Sequence, residues 1–302
     1  MNISYVKRHE VDTRKWDECI AGSVNGMVYA YSWYLDIVAH GWDALVADDY
    51  QSVFPLVHNV KFGIHYLYQP YFTQQLGLFS TGHITPELVS RFLDAIPAKF
   101  KYIFIQLNTY LRVDYPAAKV IGRITHHLDL IETYPVLSGR YSTNTKRNIS
   151  RAVAHGITIS KGVTPMQMLD LKRESLIVPL RKKHFRMLTR IMTQSLERGV
   201  GQLLGAYTQR NELCAAAFFL ISNGKAIYLL ASSGKEGLEQ RAMFALVDHF
   251  INIHSETPLI LDFEGSDIES IARFYKGFGA MPCEYNRLVI NRLPLILKIF
   301  RR

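Results

Sequence analysis

The stretch DFEGSDIESIARFYKGFGA, residues 262–280, carries more structural instruction than any other part of the chain. Apolar residues over 258–263 predict a short strand, closed by a Gly-Ser turn with Asp262 and Glu264 at its edge. A helix predicted over 268–277 delivers Phe274, Tyr275 and Lys276 to a second glycine turn at Gly277 and Gly279. Two acids and a lysine beside glycine turns suit a site that handles an amine and an anionic donor. Alternation along a strand places Asp262 and Glu264 on one side, where one of them would accept a proton from an attacking amine. For Asp262 the alternative is a cap on the turn at Gly265-Ser266.

A second stretch works with the first. It contains THHLDLI (residues 125–131), TKRNI (145–149), Arg151-Ala152 and Gly156-Ile157-Thr158-Ile159. In order and spacing the two together resemble the signature of Fem-type peptidyltransferases, across roughly the C-terminal two-thirds of the chain. The resemblance implies an α/β (α+β) fold of two tandem GNAT-like modules, each a mixed sheet flanked by helices. It also implies a role for Lys276. In the Fem-type pattern a lysine follows an aromatic residue just before a Phe-Gly pair, and it stabilises the donor's developing negative charge. Tyr275-Lys276-Gly277-Phe278-Gly279 keeps that arrangement, with Tyr in place of the usual Phe. The alternative is a lysine whose stem covers the helix end.

With 302 residues, 48% hydrophobic and 20% charged, the chain has enough apolar content for one large core or two smaller ones. No run approaches the roughly 20 apolar residues of a membrane span. No apolar signal core follows the first basic residues, which predicts a cytoplasmic protein. Three scattered cysteines fit neither a disulfide framework nor a zinc site. A net charge of +9 suits phosphate-rich partners or plain solubility.

The two halves read alike in element order. Strand, two helices, a meander of strands, helix and strand occupy residues 3–107, and the same order returns over 157–291. The expected modules are 1–130 and 131–302, joined along a strand near 123–130. Thr85-Pro86-Glu87 marks a helix start. One long helix is expected over 238–254.

Further site candidates fall in the second module. A helix predicted over 142–155 carries Lys146, Arg147 and Arg151, with Ile149 and Val153 on its apolar side. Its cations await an anionic ligand or form a solvated face. A second basic run (Arg181, Lys182, Lys183, His184, Arg186, Arg190) would track a tRNA backbone or simply be exposed. The loop containing Ser232, Ser233 and Gly234 sits where a GNAT module cradles its donor's pyrophosphate. Met243 to Ala245, however, replace the glycines of the coenzyme A pattern. Tyr228 and Tyr275 complete the donor side. Tyr71, in an aromatic stretch with Gln69, Gln74 and Gln75, is the candidate for an acceptor cleft, or else for a hydrophobic edge. Residues 293–302 suit a short helix or a membrane-surface contact. No P-loop, Gly-x-Ser-x-Gly or His-Glu-x-x-His motif is present. His126 and His127 face opposite ways on a strand, poor geometry for a metal.

The resulting expectation is transfer of an acyl or aminoacyl group from acyl-CoA or aminoacyl-tRNA to a small-molecule or peptide amine. Lys276, Glu264 and Asp262 are the catalytic candidates, with no tightly bound cofactor and tRNA as a candidate partner. The alternative is a catalytically silent module that binds a phosphate-bearing ligand or a protein.

Overall fold

Among the described residues, side-chain caps set where four of the ten α-helices begin. The computed structural model describes residues 2–175, 180–265 and 268–294. The chain forms two compact units, the first being Met1–Ile124 with Glu284–Arg302. It runs through β1 (Ile3–Val6), α1 (Thr13–Gly22), α2 (Ser32–Val38), β2 (Trp42–Ala47), β3 (Ser52–Lys61), β4 (Ile64–Leu67), β5 (Phe79–Ser80), α3 (Pro86–Asp94) and β6 (Phe100–Gln106). The Asp12 carboxylate accepts from the N–H groups of Arg14 and Lys15 to open α1. Thr85 does the same for Leu88, with Pro86 at the first helical position of α3.

The chain enters the second unit, Thr125–Cys283, along β7 (Lys119–Asp129). There follow α4 (Tyr134–Gly139), α5 (Thr143–Ala154), β8 (Thr158–Ser160), α6 (Pro165–Glu174), α7 (Lys182–Glu197), β9 (Gly201–Tyr207), β10 (Leu213–Ser222) and β11 (Lys225–Ser233). Then come α8 (Lys235–Glu239), α9 (Ala242–His254), β12 (Ile260–Asp262) and α10 (Glu269–Gly277), and the chain leaves along β13 (Met281–Asn291).

Each unit has a mixed sheet, and both follow one plan. In the first the order is β1-β2-β3-β4-β6-β13, antiparallel except for the parallel step from β4 to β6. In the second it is β8-β9-β10-β11-β12-β7, antiparallel except for the parallel step from β11 to β12. A meander of four strands, one parallel neighbour and a closing antiparallel strand recur. The closing strand of the first sheet is the C-terminal β13, whose Arg287–Asn291 pair with residues 102–106 of β6. The Arg287 guanidinium also donates to Gln106 Oε1 at 2.9 Å and lies over the Phe104 ring. For this reason the units divide at 124/125 and 283/284, rather than once at 130/131.

The core of the second unit sits between β9–β12 and helices α5 and α9. There Phe219 stacks on Phe250, with ring centroids 3.8 Å apart. β10 is buried along most of its length, so its sequence is a continuous apolar run rather than an alternating one. α5 buries Thr145, Asn148 and Ala152 against this core. Val153, expected on the apolar side, is exposed.

Two other expectations are corrected here. The single helix over 238–254 is broken into α8 and α9 by Arg241, whose φ of 62° lies in the left-handed region. α8 lies so close to β10 that a Cβ on Gly237 would stand 2.2 Å from the Cys214 carbonyl oxygen. Asp262 and Glu264 do not share a strand face either. β12 ends at Asp262, and Glu264 has a φ of 61°. Ser266 and most of the helix expected over 293–302 lie outside the described residues. Among the described residues no helix is long and apolar enough to cross a membrane.

Candidate functional site

β11 and β12 pair only over Lys225–Ile227 and Ile260–Asp262, while β11 runs on to Ser233. Where the two parallel strands stop pairing, a cavity of about 850 Å³ opens beside β11. Its size falls within the range of small-molecule sites. One wall is apolar, formed by Tyr228 of β11, Met243 and Phe244 of α9, and Phe274 and Tyr275 of α10. The Phe244 and Phe274 rings meet edge-on at 4.8 Å. The other end is polar and charged, with Lys172, Glu174, Ser175, Ser232, Ser233 and Lys235.

Each polar group at that end has a position fixed by the fold. The Ser232 hydroxyl is buried and donates to the Leu171 carbonyl at 3.1 Å. It also shares a short hydrogen bond with the Ser175 hydroxyl. Lys172 donates to the Ala231 carbonyl at 3.2 Å, and burial pushes its pKa down. The N–H of Gly234 is already spent on the Cys214 carbonyl at 2.9 Å. The expected cradle of free amides is therefore not built at Gly234, because β11 continues through Ser233 and the helix that follows has only five residues.

Tyr275 links the cavity to a polar cluster behind it. Its ring stacks on Phe263 at 4.8 Å and tilts against His126 at 5.8 Å. Burial pushes its phenol well up, so the hydroxyl stays protonated. His126, on β7, is 2% exposed, and neither ring nitrogen has a hydrogen-bond partner among the described residues. Burial, and after it the positive charge of Lys276, lowers its pKa. The imidazole is thus neutral at pH 7. His127, one residue on, faces Asp262 instead, with Nε2 at 3.0 Å from the carboxylate.

Asp262 is fully enclosed and fully engaged. It accepts from the Thr125 hydroxyl at 2.6 Å and from the Glu264 N–H at 2.9 Å, besides its contact with His127. Burial alone would raise its pKa, but these donors hold it below the ordinary carboxylate value. A saturated, stabilised anion is a poor proton acceptor, so its geometry is that of an anchor for the Thr125, His127 and Glu264 positions. Glu264 is half-buried just beyond it.

Lys276 is exposed in the last turn of α10 and is not among the residues lining the cavity. Its positive charge acts on the His126 imidazole. Lys146, Arg147 and Arg151 are exposed on α5, also away from the cavity lining. Lys146 donates to the Gly139 carbonyl and Arg147 to the Asn144 side chain. Of the second basic run, His184 is buried, so it does not belong to the exposed face. Tyr71 lies in the first unit, 57% exposed, in a loop tied down by glutamines. Gln69 bonds Thr73 and the Gln106 N–H, and Gln75 accepts from Thr109. Those glutamines hold the loop to the β6 region.

Among the solved structures, FemX superposes with a TM-score of 0.65 at 12% identity, covering 95% of this chain and 97% of FemX. The chain has the FemX fold. L-PGS from Bacillus licheniformis is similar at a TM-score of 0.55 and 10% identity, covering 96% of this chain and 94% of that one. So is the C-terminal domain of a protein described as a lysylphosphatidylglycerol synthetase from Agrobacterium fabrum, at 0.54 and 10%, covering 94% and 93%. No protein-family model matches the sequence, and no curated protein matches it. Identities this low show the FemX fold and leave the chemistry to the site itself.

Lys172 lines the cavity although its helix sequence carries no signal for it, whereas Met243, read as a substitute for a coenzyme A glycine, and Phe274, read as part of the glycine-turn stretch, form its apolar wall. His126 was weighed only as a metal ligand. Gly277, by contrast, has a use beyond turning the chain. A Cβ there would stand 2.4 Å from Thr145 Oγ1, and its carbonyl accepts from the Ser142 N–H at 2.9 Å. Gly277→Ala is expected to cost about 1–3 kcal/mol by pushing α10 off the start of α5. Chemical denaturation checks this, and a change within 0.5 kcal/mol, the usual effect of a neutral surface substitution, would contradict it.

Proposed function

We propose that the chain is an N-acyltransferase that moves an acyl or aminoacyl group from an activated donor to the amine of a small molecule or peptide. The observation that carries this reading is the cavity where β11 and β12 stop pairing, apolar along one wall and with two lysines among the polar residues at one end. The transferred group sits in the apolar part. The anionic carrier, coenzyme A or the end of a charged tRNA, lies toward Lys172 and Lys235. The unprotonated amine attacks the donor carbonyl carbon, a C–N bond forms, and the C–S or C–O bond to the carrier breaks. The carrier leaves as its thiol or hydroxyl, taking up the proton that the amine gives up.

In this proposal Glu264 relays that proton while Asp262 positions it, and Lys276 supplies positive charge to the developing oxyanion. Ser233 and the Tyr228 and Tyr275 rings hold the donor. The exposed cations of α5 and α7 offer a basic surface for a carrier's phosphates. A second reading, a silent module that only binds its ligand, is favoured by two observations. Asp262 is saturated with donors, and Lys276 is not part of the cavity lining.

Stabilisation by acetyl-CoA, longer acyl-CoAs and charged tRNA separates the donors. At about 100 times its dissociation constant, the true donor stabilises the protein by about 2.7 kcal/mol. With that donor in hand, Lys276→Ala is expected to lower kcat at least roughly tenfold, about 1.4 kcal/mol of barrier, with little change in donor affinity. Undiminished turnover in Lys276→Ala would remove that residue from the chemistry. Binding without turnover of any amine would establish the silent reading.

A further inference from the structure

The apolar wall of the cavity constrains which group can be transferred. That wall consists of Tyr228, Met243, Phe244, Phe274 and Tyr275, and it continues outward to Leu238 and Ile271 at the rim. Leu238 is 61% and Ile271 37% exposed, large apolar side chains of the lining left facing water. A space of about 850 Å³ is far more than an acetyl group fills. An apolar chain entering it would cover both the inner wall and the rim residues.

An aminoacyl group is the wrong occupant for that space. It carries an ammonium, which is costly to place against an apolar wall without a buried carboxylate. Of the charged residues lining the cavity, Glu174 and Lys235 are both exposed, and the half-buried Lys172 repels it. An uncharged aliphatic chain avoids both penalties. Its anionic head or carrier then meets the lysines and serines at the polar end.

We infer that the cavity binds a medium-to-long aliphatic acyl chain, with its carbonyl toward the Lys172–Ser232 end. This rests on the acyl-transfer reading for its consequence, but the chain-binding property stands or falls separately. Lys172 is held by the Ala231 carbonyl, and Ser232 by Leu171 and Ser175. The polar end is therefore fixed before ligand arrives, and chain length alone is left to vary.

The test is calorimetric titration of the full-length protein with two series, acyl-CoAs and free fatty acids, of two, four, eight, twelve and sixteen carbons. Each methylene transferred from water is expected to tighten binding roughly fourfold until the cavity is filled. From two to eight carbons the expected gain is at least roughly a hundredfold. Leu238→Asp and Ile271→Asp lie at the exposed rim and keep the core intact. Each is expected to flatten the dependence on chain length while leaving the unfolding transition in place. A dependence on length in either series, lost in the rim variants, supports the proposal. Fatty acids that bind while acyl-CoAs do not would uphold the chain site and remove coenzyme A as carrier. Acetyl-CoA binding as tightly as dodecanoyl-CoA would overturn the proposal and leave acyl transfer standing. No binding in both series, or tighter binding of an aminoacyl-tRNA than of any acyl ligand, would also overturn it.

Discussion

Asp262→Ala is expected to destabilise the protein by about 3–5 kcal/mol, because it strands several buried donors at roughly 1–3 kcal/mol each. The Thr125 hydroxyl and the Glu264 N–H lose their acceptor, and His127 loses its partner. Asp262→Asn keeps an oxygen in place and is expected to cost less. The two substitutions also separate charge from hydrogen bonding. The folded-state pKa of Asp262 is depressed, so the native state binds its proton less readily than the unfolded chain does. That contribution is complete above the unfolded value of about 3.9 and is lost as pH falls through the lower folded value. Urea denaturation of the wild type should therefore show a loss of stability in this acid window that Asp262→Asn lacks. An Asp262→Ala variant within about 1 kcal/mol of the wild type, the centre of the range for an ordinary point mutation, would show that the carboxylate is not the anchor described above.

Ala231→Phe addresses the cavity rather than its foundation. Ala231 lines the space on β11, and its carbonyl, not its side chain, receives Lys172. A phenyl ring there fills room that the donor needs, and the backbone contact survives. Binding of whichever donor stabilises the wild type is expected to weaken by roughly a hundredfold, about 2.7 kcal/mol, with the unfolding midpoint nearly unchanged. The informative readout is the split between the two quantities. Weakened binding with intact stability assigns the cavity to the donor, whereas equal loss of both would mean only that the sheet was disturbed.

How much of this was legible in the sequence follows from the range of each interaction. The start of α3 was legible because Thr85 and Pro86 act within one helical turn. The repeated order of strands and helices was legible from period and turn residues, and the Fem-type stretches pointed to the FemX fold. The pairing of β13 with β6 was not legible, since residues about 180 positions apart meet there and neither strand's pattern names its partner. That single pairing moved the end of the chain into the first unit.

At the site, Tyr228, Ser232, Ser233, Gly234 and Tyr275 were chosen from sequence and do line one cavity. Gly234 does not offer the free amide expected of it, while Asp262 accepts from the Glu264 N–H, in keeping with the turn-cap alternative. The Gly234 amide is taken by Cys214, a residue on a neighbouring strand. The strand ends at Asp262, two residues short of Glu264, so alternation does not carry Glu264 to the Asp262 face. Arg147, Arg151 and Tyr71 had suitable chemistry but are not in the cavity lining, which periodicity along one helix or loop cannot reveal. That His126 is buried with no hydrogen-bond partner among the described residues is a property of its surroundings, which its place in the sequence does not carry.

The most direct measurement is a crystal structure of the protein grown with dodecanoyl-CoA at saturating concentration. Acyl density running between Met243, Phe274 and Tyr228, with the thioester toward Ser232, is the predicted result. Density for the chain outside that space, or the cavity walls collapsed onto one another while the ligand binds elsewhere, would contradict it.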